Sequence, residues 1–333
     1  MTTALWLQNL VVLAGLGLVV WMIVRGARSD RWQRAWERLR RDRIGLIAGG
    51  VIALYLFIGV LEATRLPISG DDASILGWLL QGIPSETGYS APLANHTLSS
   101  SDPQPLRGKH LLGTDALGKD VFVETLRACR TALLIGGLTS LIYIPLGTLL
   151  GIVAGYFRRW VDDLIQYVYT VLYSIPEILL LIAVLIVLGK GLGNMAFALA
   201  ITSWVNLCRL IRGETMRQTE RPYVAAARAL GQSHWKIITR HLLPNVMHLV
   251  LIKLVLGFSS LVLAEALLSY LGVGSPIGTP SWGNMIDGAR GELSRQPIVW
   301  WNLTAATGAL FGLVLSLNLF GDALRRAFDP KSH

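Results

Sequence analysis

Long runs of apolar residues alternate with polar connections along this chain. Seven runs are long enough, at about 20 residues, to span the hydrocarbon core of a bilayer as helices. They cover residues 4–24, 44–61, 131–156, 164–188, 191–211, 246–271 and 301–320. Because backbone N–H and C=O groups find no water in lipid, each run is predicted to be helical. The pattern therefore predicts an all-α protein, a polytopic bundle of seven transmembrane helices.

The composition supports this interpretation. Of the 333 residues, 53% are apolar and only 15% are charged, whereas a soluble domain carries about 25% charged residues. The run at residues 4–24 is not preceded by the basic residues of a secretory signal peptide, so we interpret it as a retained helix. Cys129 and Cys208 are far apart in the sequence and predict no disulfide or metal framework.

Charge is distributed unequally between two sets of loops. The connections at residues 25–43 and 209–240, together with the C-terminal tail, give one side a net charge of +12. The connections on the other side, which include residues 65–130, have a net charge of 0. Positively charged loops stay on the cytoplasmic side. We therefore predict a cytoplasmic C-terminus and an external N-terminus, which agrees with seven crossings.

The most specific local pattern lies between the fifth and sixth runs. Pro222 suits the first turn of a helix, Gly231 suits a left-handed helix end, and Ser233 suits the N-cap of a second helix. Pro244 is expected to restart the chain for the next span. The pattern predicts two short cytoplasmic helices, at residues 223–230 and 234–242, joined at the glycine.

This segment resembles the "EAA" loop of ATP-binding-cassette importer permeases, which reads Glu-Ala-Ala-x3-Gly-x9-Ile-x-Leu-Pro. Ala225 and His241 stand where the family has Glu and Ile, a departure typical of the dipeptide/oligopeptide/nickel branch at the first position. In that family the loop docks into a groove on a cytoplasmic ATPase subunit. The resemblance thus implies ATPase coupling by Tyr223, Ala226, Ala227, Gly231, Leu243 and Pro244. The alternative is an ordinary amphipathic loop helix.

Three further strings resemble the same branch, in the same order. Residues 110–120 are similar to its "H-x-L-G-T-D-x-x-G-R-D" segment on the periplasmic side. The residues that match it are His110, Gly113, Thr114, Asp115, Gly118 and Asp120. Residues 269–283 resemble the "LSFLGLG…PSWG" stretch of C-type subunits, and residues 318–330 resemble their "N-x-x-G-D-x-L-R…D-P" ending. The first run and the loop at residues 62–107 are not standard for the branch.

The resemblance implies a C-type permease with the fold of type I ATP-binding-cassette importers, in the bacterial inner membrane. Residues 1–64 would form two N-terminal transmembrane helices with a basic cytoplasmic link, and residues 65–130 a periplasmic loop. Residues 131–333 would form the core permease domain, with a cytoplasmic coupling loop at residues 212–244. The implied partners are a homologous B-type permease, one or two ATPase subunits, a periplasmic substrate-binding protein and membrane lipid, but no nucleic acid.

Such a chain is not an enzyme and binds no cofactor, because ATP and Mg belong to the partner ATPase. The string from Gly113 to Lys119 nearly satisfies the phosphate-binding loop G-x4-G-K-[ST], but Asp120 replaces the hydroxyl residue and would repel phosphate. The sequence contains no evident catalytic constellation and no metal-ligand spacing. The implied substrates are di- or oligopeptides, with antimicrobial peptides, nickel chelates and opines left as alternatives.

Three ionisable residues lie inside predicted spans, where charge is costly and often functional. Glu177 is a candidate contact of the translocation path, or it caps a helix restarted after Pro176. Lys253 is a candidate pathway residue, or its side chain extends to the membrane surface. Glu265 is a candidate gate residue, or it pairs with a polar group on another helix. The two glutamates also leave a proton-coupled secondary transporter open, although the internal repeat expected of one is not evident.

Glycines recur every four residues in the third run, at Gly147, Gly151 and Gly155. Such a ridge of small residues lets two helices approach closely. We predict that it mediates helix packing, with the sister permease as one candidate partner.

Overall fold

The computed structural model describes residues 30–65, 74–98, 103–276 and 278–328. These residues are mostly helical, and within the same ranges only isolated backbone bridges, with no strand, are found. The all-α prediction is therefore confirmed. The first predicted span, at residues 4–24, lies outside the described residues.

Twelve α-helices follow one another along the described chain. They are α1 (Asp30–Arg41), α2 (Arg43–Ala63), α3 (Ile75–Leu79), α4 (Val121–Phe157), α5 (Arg159–Tyr173), α6 (Glu177–Leu188), α7 (Leu192–Thr219), α8 (Pro222–Ala229), α9 (His234–Ile237), α10 (Leu243–Tyr270), α11 (Trp282–Glu292) and α12 (Trp301–Phe328). A single π-helical turn, Ile238–Leu242, joins α9 to α10. Helix formation in α2 begins where the Asp42 side chain accepts a hydrogen bond from the Gly45 N–H at 3.1 Å, an N-cap arrangement.

Five of the predicted spans are confirmed as helices long and apolar enough to cross a membrane. These are α2, α4, α7, the continuous helix from His234 to Tyr270, and α12. The run at residues 164–188, which Pro176 and Glu177 were predicted to interrupt, consists of two helices, α5 and α6, bent by 86° at the break between them. Pro176 has no N–H to donate and its ring clashes with a helical carbonyl four residues earlier, so the chain turns there. The described residues therefore hold five spans, or six if the bent pair counts as one.

Two compact units divide the chain. The first comprises Met1–Leu134 and Val262–His333, and the second comprises Ile135–Leu261. In the first unit α2 and α12 run antiparallel, since Gly45 lies against Ala323 while Tyr55, further along α2, donates its hydroxyl to the Ala309 carbonyl at 2.8 Å. Helix α1 packs on the end of α12, where buried Ala35 and Leu39 meet Ala323 and Ala327.

The glycine ridge packs α4 against α7 inside the second unit. A Cβ on Gly147, Gly151 or Gly155 would lie 2.7–2.8 Å from the carbonyl oxygens of Trp204, Cys208 and Arg212, respectively. The prediction of helix packing is confirmed, and the partner is a helix of the same chain. Because both sets of residues advance in the same order, α4 and α7 run parallel. The chain must therefore return between them, so α5 and α6 together carry it back to the side where α4 begins.

Candidate coupling segment and membrane sites

The coupling segment, residues 222–244, has the local structure that its sequence predicts over most of its length. Helix α8 begins with Pro222 at its first position. Gly231 ends the turn after it with a φ of +70°, a conformation that side chains disfavour. Ser233 then caps α9, accepting from the Lys236 N–H at 3.4 Å. The coupling segment thus forms an elbow, with α8 as its first arm, the helical stretch from His234 to Leu242 as its second, and Gly231 at the turn between them. Both arms begin and end at residues that act locally.

The second arm differs from the prediction at Pro244, which does not restart the chain. The helix continues through a π-helical turn, in which the Leu243 N–H donates to the Ile238 carbonyl, and then into α10. A proline inside a helix clashes with the carbonyl four residues before it, here that of Arg240. The wider π-turn accommodates this proline, so the elbow and the transmembrane helix that follows form one continuous rod.

Burial within the coupling segment separates a fixed face from a free face. Val224, Ala227 and Leu242 are buried in the second unit, so Ala227 presents little surface for contact with another protein. Ala226 is exposed. Leu230 and Trp235, which lie on either side of the Gly231 turn, are 79% and 69% exposed. Neither residue was predicted as a coupling residue, although a large apolar side chain within a few residues of a turn glycine in a polar loop could have indicated a contact surface.

Polar contacts hold the elbow to the helices on either side of it. The Tyr223 hydroxyl donates to Gln218 Oε1 at 2.8 Å, so the predicted coupling residue Tyr223 ties α8 to the end of α7. Gln232 and His241 link the turn to the π-helical arm, with 3.2 Å between their side chains. Leu243 is half-buried and Pro244 is exposed on the same rod. The structure thus brings the predicted residues of this segment together, with Tyr223 and Ala227 facing inward.

An aromatic and ionic brace, which the sequence did not reveal, joins the elbow to α4. His234 Nδ1 lies 2.7 Å from the Tyr156 hydroxyl at the end of α4, and the Arg228 guanidinium stands over the Tyr156 ring at 5.1 Å. Both arms of the elbow therefore contact one buried tyrosine. The hydrogen bond and the cation–π contact add attraction beyond packing alone, so they stiffen the attachment.

A second brace joins α5 to α7 nearby. The Arg212 guanidinium binds the Asp162 carboxylate with two hydrogen bonds, at 2.5 and 2.7 Å. Arg158 reaches the end of α7, where it binds Glu220 at 2.9 Å. A bidentate arginine–carboxylate pair fixes orientation as well as distance. The first turn of the bent α5–α6 pair is thus held to the helix that leads into the elbow.

Residues 110–120, which are predicted to lie on the periplasmic side and are called the outer segment below, form a tightly folded turn. Asp115 Oδ1 accepts the N–H groups of Leu117 and Lys119, each at 2.8 Å, and Gly113 and Gly118 have φ values of +70° and +75°. Thr114 is buried, and its hydroxyl donates to the Gly88 carbonyl at 2.7 Å. The N–H groups of Leu117 and Lys119 are thus already bonded within the turn. At these two positions, the near-match to a phosphate-binding loop offers no free N–H group to a phosphate.

A buried histidine lies between two carboxylates behind this turn. His110 is fully buried, with Nδ1 2.7 Å from Asp120 Oδ2 and Nε2 3.2 Å from Glu86 Oε1. Asp120 also caps α4, since its Oδ1 accepts from the Val123 N–H at 2.9 Å. Burial alone would raise the pKa of Glu86, but hydrogen bonds from His110 and from the N–H of Arg107 and Gly108 outweigh it and lower that pKa. The structure therefore assigns the outer segment a structural role in the first unit.

Glu265 lies inside the first unit with an exposed fraction of 1%. Its Oε1 accepts from the hydroxyls of Ser269, Ser275 and Ser281, at 2.8, 3.2 and 2.7 Å. These serines belong to the end of α10, the loop after it and the cap of α11. In this conformation the carboxylate has no open surface, which disfavours the gate interpretation. The alternative named a polar group on another helix, whereas the three hydroxyl partners lie on α10 itself, in the loop after it and in the cap of α11.

Glu177 stands at an exposed bend in the second unit. It is the first residue of α6, directly after Pro176, in a pocket of about 260 Å³. Polar groups of α7, Thr202 and Asn206, line the same pocket. Tyr173 also borders it and carries the Arg209 guanidinium over its ring at 5.2 Å. The position satisfies both interpretations at once, since a carboxylate at a helix start is favoured by the helix dipole and still faces an open pocket.

Lys253 lies in the middle part of α10, where its side chain is half-buried. Its backbone carbonyl accepts the Tyr143 hydroxyl at 3.4 Å. Across residues 30–65, 74–98, 103–276 and 278–328, no carboxylate lies within ion-pair distance of its ammonium group, and no cluster of three or more His, Cys, Asp or Glu side chains is arranged to hold a metal. The structure thus brings Lys253 together with neither Glu177 nor Glu265.

Comparison with known proteins agrees with these features. Residues 147–333 match the family described as binding-protein-dependent transport system inner membrane component. The glutathione transport system permease protein GsiD of Pectobacterium atrosepticum is 32% identical over 90% of this chain and 91% of that protein. The dipeptide transport system permease protein DppC of Bacillus subtilis is 31% identical over 90% of this chain and 85% of its own length. The oligopeptide permease protein OppC of the same species is 28% identical over 90% of both chains.

These matches confirm the C-type permease resemblance of the ATP-binding-cassette importers, and they give no support to a proton-coupled transporter. They also confirm that the family supplies the transport subunit and that ATP is hydrolysed elsewhere. The coupling segment, the bent pair, α7 and the glycine ridge of α4 all lie within the matched region. This chain belongs to the family of binding-protein-dependent transport system inner membrane components, the membrane-spanning permeases of importers driven by partner ATPases.

Proposed function

We propose that this chain moves di- or oligopeptides across the bacterial inner membrane by alternating access. The relatives named for glutathione, dipeptides and oligopeptides all handle short peptides, and the identity to them extends over nine-tenths of this chain. A short peptide has a positively charged and a negatively charged end. The permease must therefore offer polar contacts along an otherwise apolar path.

The proposed assembly contains this C-type chain, a homologous B-type permease, one or two cytoplasmic ATPase subunits and a periplasmic substrate-binding protein. ATP and Mg bind to the ATPase subunits, and no nucleic acid is involved. The coupling segment and the C-terminus face the cytoplasm, while residues 65–130 and the N-terminus face the periplasm. The excess of basic residues in the loops at residues 25–43 and 209–240 supports this orientation.

The exposed apex of the elbow is the observation that carries the proposal. Leu230 and Trp235 present apolar surface to the solvent, and large apolar side chains anchored centrally in an interface contribute most of the binding energy. We infer that they enter the groove on the ATPase, together with the exposed Ala226 and the glycine turn. Tyr223 and Ala227 then act as positioning residues, because they fix α8 to its own unit.

Rigid attachment turns movement of the ATPase into movement of transmembrane helices. One end of the elbow continues without a break into α10, and both arms contact Tyr156 at the end of α4. A displacement at Trp235 is therefore delivered to α4 and α10 together. Such a mechanical link is physical coupling only if the elements have two arrangements, and the two arrangements proposed here are the inward-open and outward-open cavities.

Glu177 is the proposed pathway residue that binds the positive end of the peptide. It combines exposure, an open pocket and polar neighbours on α7. Replacing Glu177 with Gln should raise the KM for peptide uptake at least fivefold while ATP hydrolysis stays coupled. Lys253 remains a candidate contact for the peptide carboxylate, and Glu265 is withdrawn from the pathway because of its burial.

The test is ATP-dependent uptake of a radiolabelled dipeptide into proteoliposomes that contain the chain and its partners. The double variant Leu230→Ala, Trp235→Ala should lower uptake and ATPase binding at least tenfold, as expected for the loss of a central anchor. The matched control is Trp78→Ala, Leu79→Ala, which removes another exposed tryptophan and leucine, from α3, and should retain uptake within twofold. Normal uptake by the elbow variant, or ATP turnover by the purified chain alone, would contradict the proposal.

A further inference from the structure

A basic pocket lies where α1, α2 and α12 meet in the first unit. It has a volume of about 200 Å³ and is lined by Arg38, Asp42, Ala323, Arg326 and Ala327. The Arg326 guanidinium binds Asp42 Oδ2 at 2.6 Å. The other oxygen of Asp42 caps α2 at Gly45. This carboxylate is thus occupied by contacts of the chain, and it holds one guanidinium at the pocket wall.

The depth of the pocket follows from the lengths of two antiparallel helices. Helix α2 has 21 residues, which makes it about 30 Å long, close to the thickness of the hydrocarbon core. Its first residue therefore marks one membrane surface. Helix α12 has 28 residues, and Gly45 lies against Ala323, so its last turn extends past the start of α2. Arg326 and Asp42 are thus placed at the depth of lipid headgroups.

The surroundings of the pocket are basic on the solvent side and apolar on the membrane side. The exposed charged side chains of this region are Arg38, Arg40, Arg41, Arg43, Arg325 and Arg326, against Glu37, Asp322 and the half-buried Asp42. Ile44 and Ile47, at the start of α2, are 57% and 69% exposed, as expected for side chains that face acyl chains. Trp36 is half exposed with Arg40 stacked over its ring at 5.3 Å, an arrangement suited to the membrane interface.

We propose that this pocket binds the phosphate of an anionic phospholipid, with Arg38 and Arg326 as its ligands and the acyl chains along Ile44 and Ile47. Guanidinium groups are well suited to phosphate because their N–H donors match its oxygens. Basic pockets between transmembrane helices on the cytoplasmic side bind anionic headgroups in this way. The site would fasten α1 to the membrane and to α12, since the lipid touches both helices.

The depth of the pocket in the membrane favours a lipid over a protein partner. The pocket opens at headgroup depth beside exposed isoleucines, whereas a cytoplasmic ATPase meets the permease beyond the headgroups. The proposal needs only the membrane-spanning character of the family. Its failure would therefore leave the coupling segment and the peptide substrate unaffected, and their failure would leave this site unaffected.

Native mass spectrometry of the purified full chain tests the site. Phosphatidylglycerol is titrated, with phosphatidylcholine, which is zwitterionic and has no net charge, as the control lipid and inorganic phosphate as a competitor. Arg38→Gln should weaken phosphatidylglycerol binding about fivefold, since one arginine near an anionic surface contributes on the order of 1 kcal/mol. Arg38→Gln with Arg326→Gln should weaken it further. Phosphatidylcholine binding should not change, and inorganic phosphate should not compete at equal concentration.

Arg41→Gln is the matched control, because it removes the same charge from the same helix outside the pocket lining. An equal loss with Arg41→Gln would show diffuse attraction and overturn the site. Unchanged binding in Arg38→Gln would overturn it as well. Competition by inorganic phosphate would show that the pocket binds a free anion rather than a lipid, and would overturn the proposal. If the Arg38→Gln variant kept lipid binding but no longer assembled with the ATPase, the surface would belong to the protein partner instead.

Discussion

The coupling segment and the outer segment both carry a family pattern, but the structure uses the two patterns in opposite ways. In the outer segment the pattern residues are turned inward, and His110, Thr114 and Asp120 are buried in hydrogen bonds. In the coupling segment the pattern shapes a turn whose neighbours, Leu230 and Trp235, are turned outward. A sequence motif thus marks a constrained backbone in both places. Which residue contacts a partner is decided by exposure.

Replacing His110 with Ala is the strongest way to break this comparison. The variant removes the imidazole that lies between the Glu86 and Asp120 carboxylates, and a buried polar group left without its hydrogen-bond partner costs about 1–3 kcal/mol. The free energy of unfolding of the chain should fall by that order, measured by thermal or denaturant unfolding in detergent. His96→Ala, at an exposed position of the same loop, is the control and should change it by less than about 0.5 kcal/mol. Equal stability of the two variants would contradict a structural role.

Gly231→Pro should uncouple transport while leaving the chain folded in the membrane. Proline fixes φ near −65°, whereas the turn needs +70°, so the angle between the two arms must change. Peptide uptake in proteoliposomes should drop at least tenfold, although membrane insertion and detergent stability of the chain change little. Gly231→Asn, which tolerates the left-handed conformation better than other residues, should keep most of the uptake. Full uptake by the proline variant would remove the elbow from the mechanism.

Two variants of Asp115 test whether the outer segment needs its hydrogen-bond acceptor or its negative charge. Its Oδ1 accepts two backbone N–H groups, and an amide oxygen can do the same. Asp115→Asn should therefore preserve stability, while Asp115→Ala should lower the free energy of unfolding by about 1–3 kcal/mol, because it leaves donors without a partner. Denaturant unfolding of the two variants measures the difference. A large loss in the Asn variant would show that the negative charge itself is required.

Acid should weaken the outer segment through Glu86. The pKa of this carboxyl is lowered in the folded chain, so its contribution to stability is complete above the ordinary glutamate value of about 4.3 and is lost as pH falls through the lower folded value. Glu86→Gln should flatten this part of the pH dependence, measured by thermal unfolding between pH 7 and pH 3. An unchanged acid limb in the variant would assign the acid sensitivity to another group.

Local chemistry explains which parts of the fold could be predicted from the sequence. Helix starts, the glycine turn and the bend at Pro176 each depend on backbone preferences of a few neighbouring residues. Five of the spans could be predicted because lipid requires a long apolar helix. The return of the chain through α5 and α6 was predicted too, as the fourth crossing, but the register of α4 against α7 could not be, because it depends on contacts between distant residues.

The burial of Glu265 and Ala227 could not be predicted, because burial depends on residues far away in the chain. Ser281 reaches Glu265 across 16 positions, and no spacing rule announces such a contact. The same reason applies to the histidine cluster, where Glu86 joins His110 across 24 positions. The exposure of Leu230 and Trp235 could not be predicted either, because it depends on which side of the elbow packs against the rest of its unit.

The glycine contacts between α4 and α7 restrict how this permease can deform. Each glycine fits against one carbonyl of the facing helix, and the three fits repeat with the helical turn. A small slide of one helix along the other would bring all three into collision, so the next good fit is four residues away, about 6 Å. We therefore expect the two helices to move together during the transport cycle. Most of the bending within their unit then falls on residues 174–176, beside the carboxylate of Glu177.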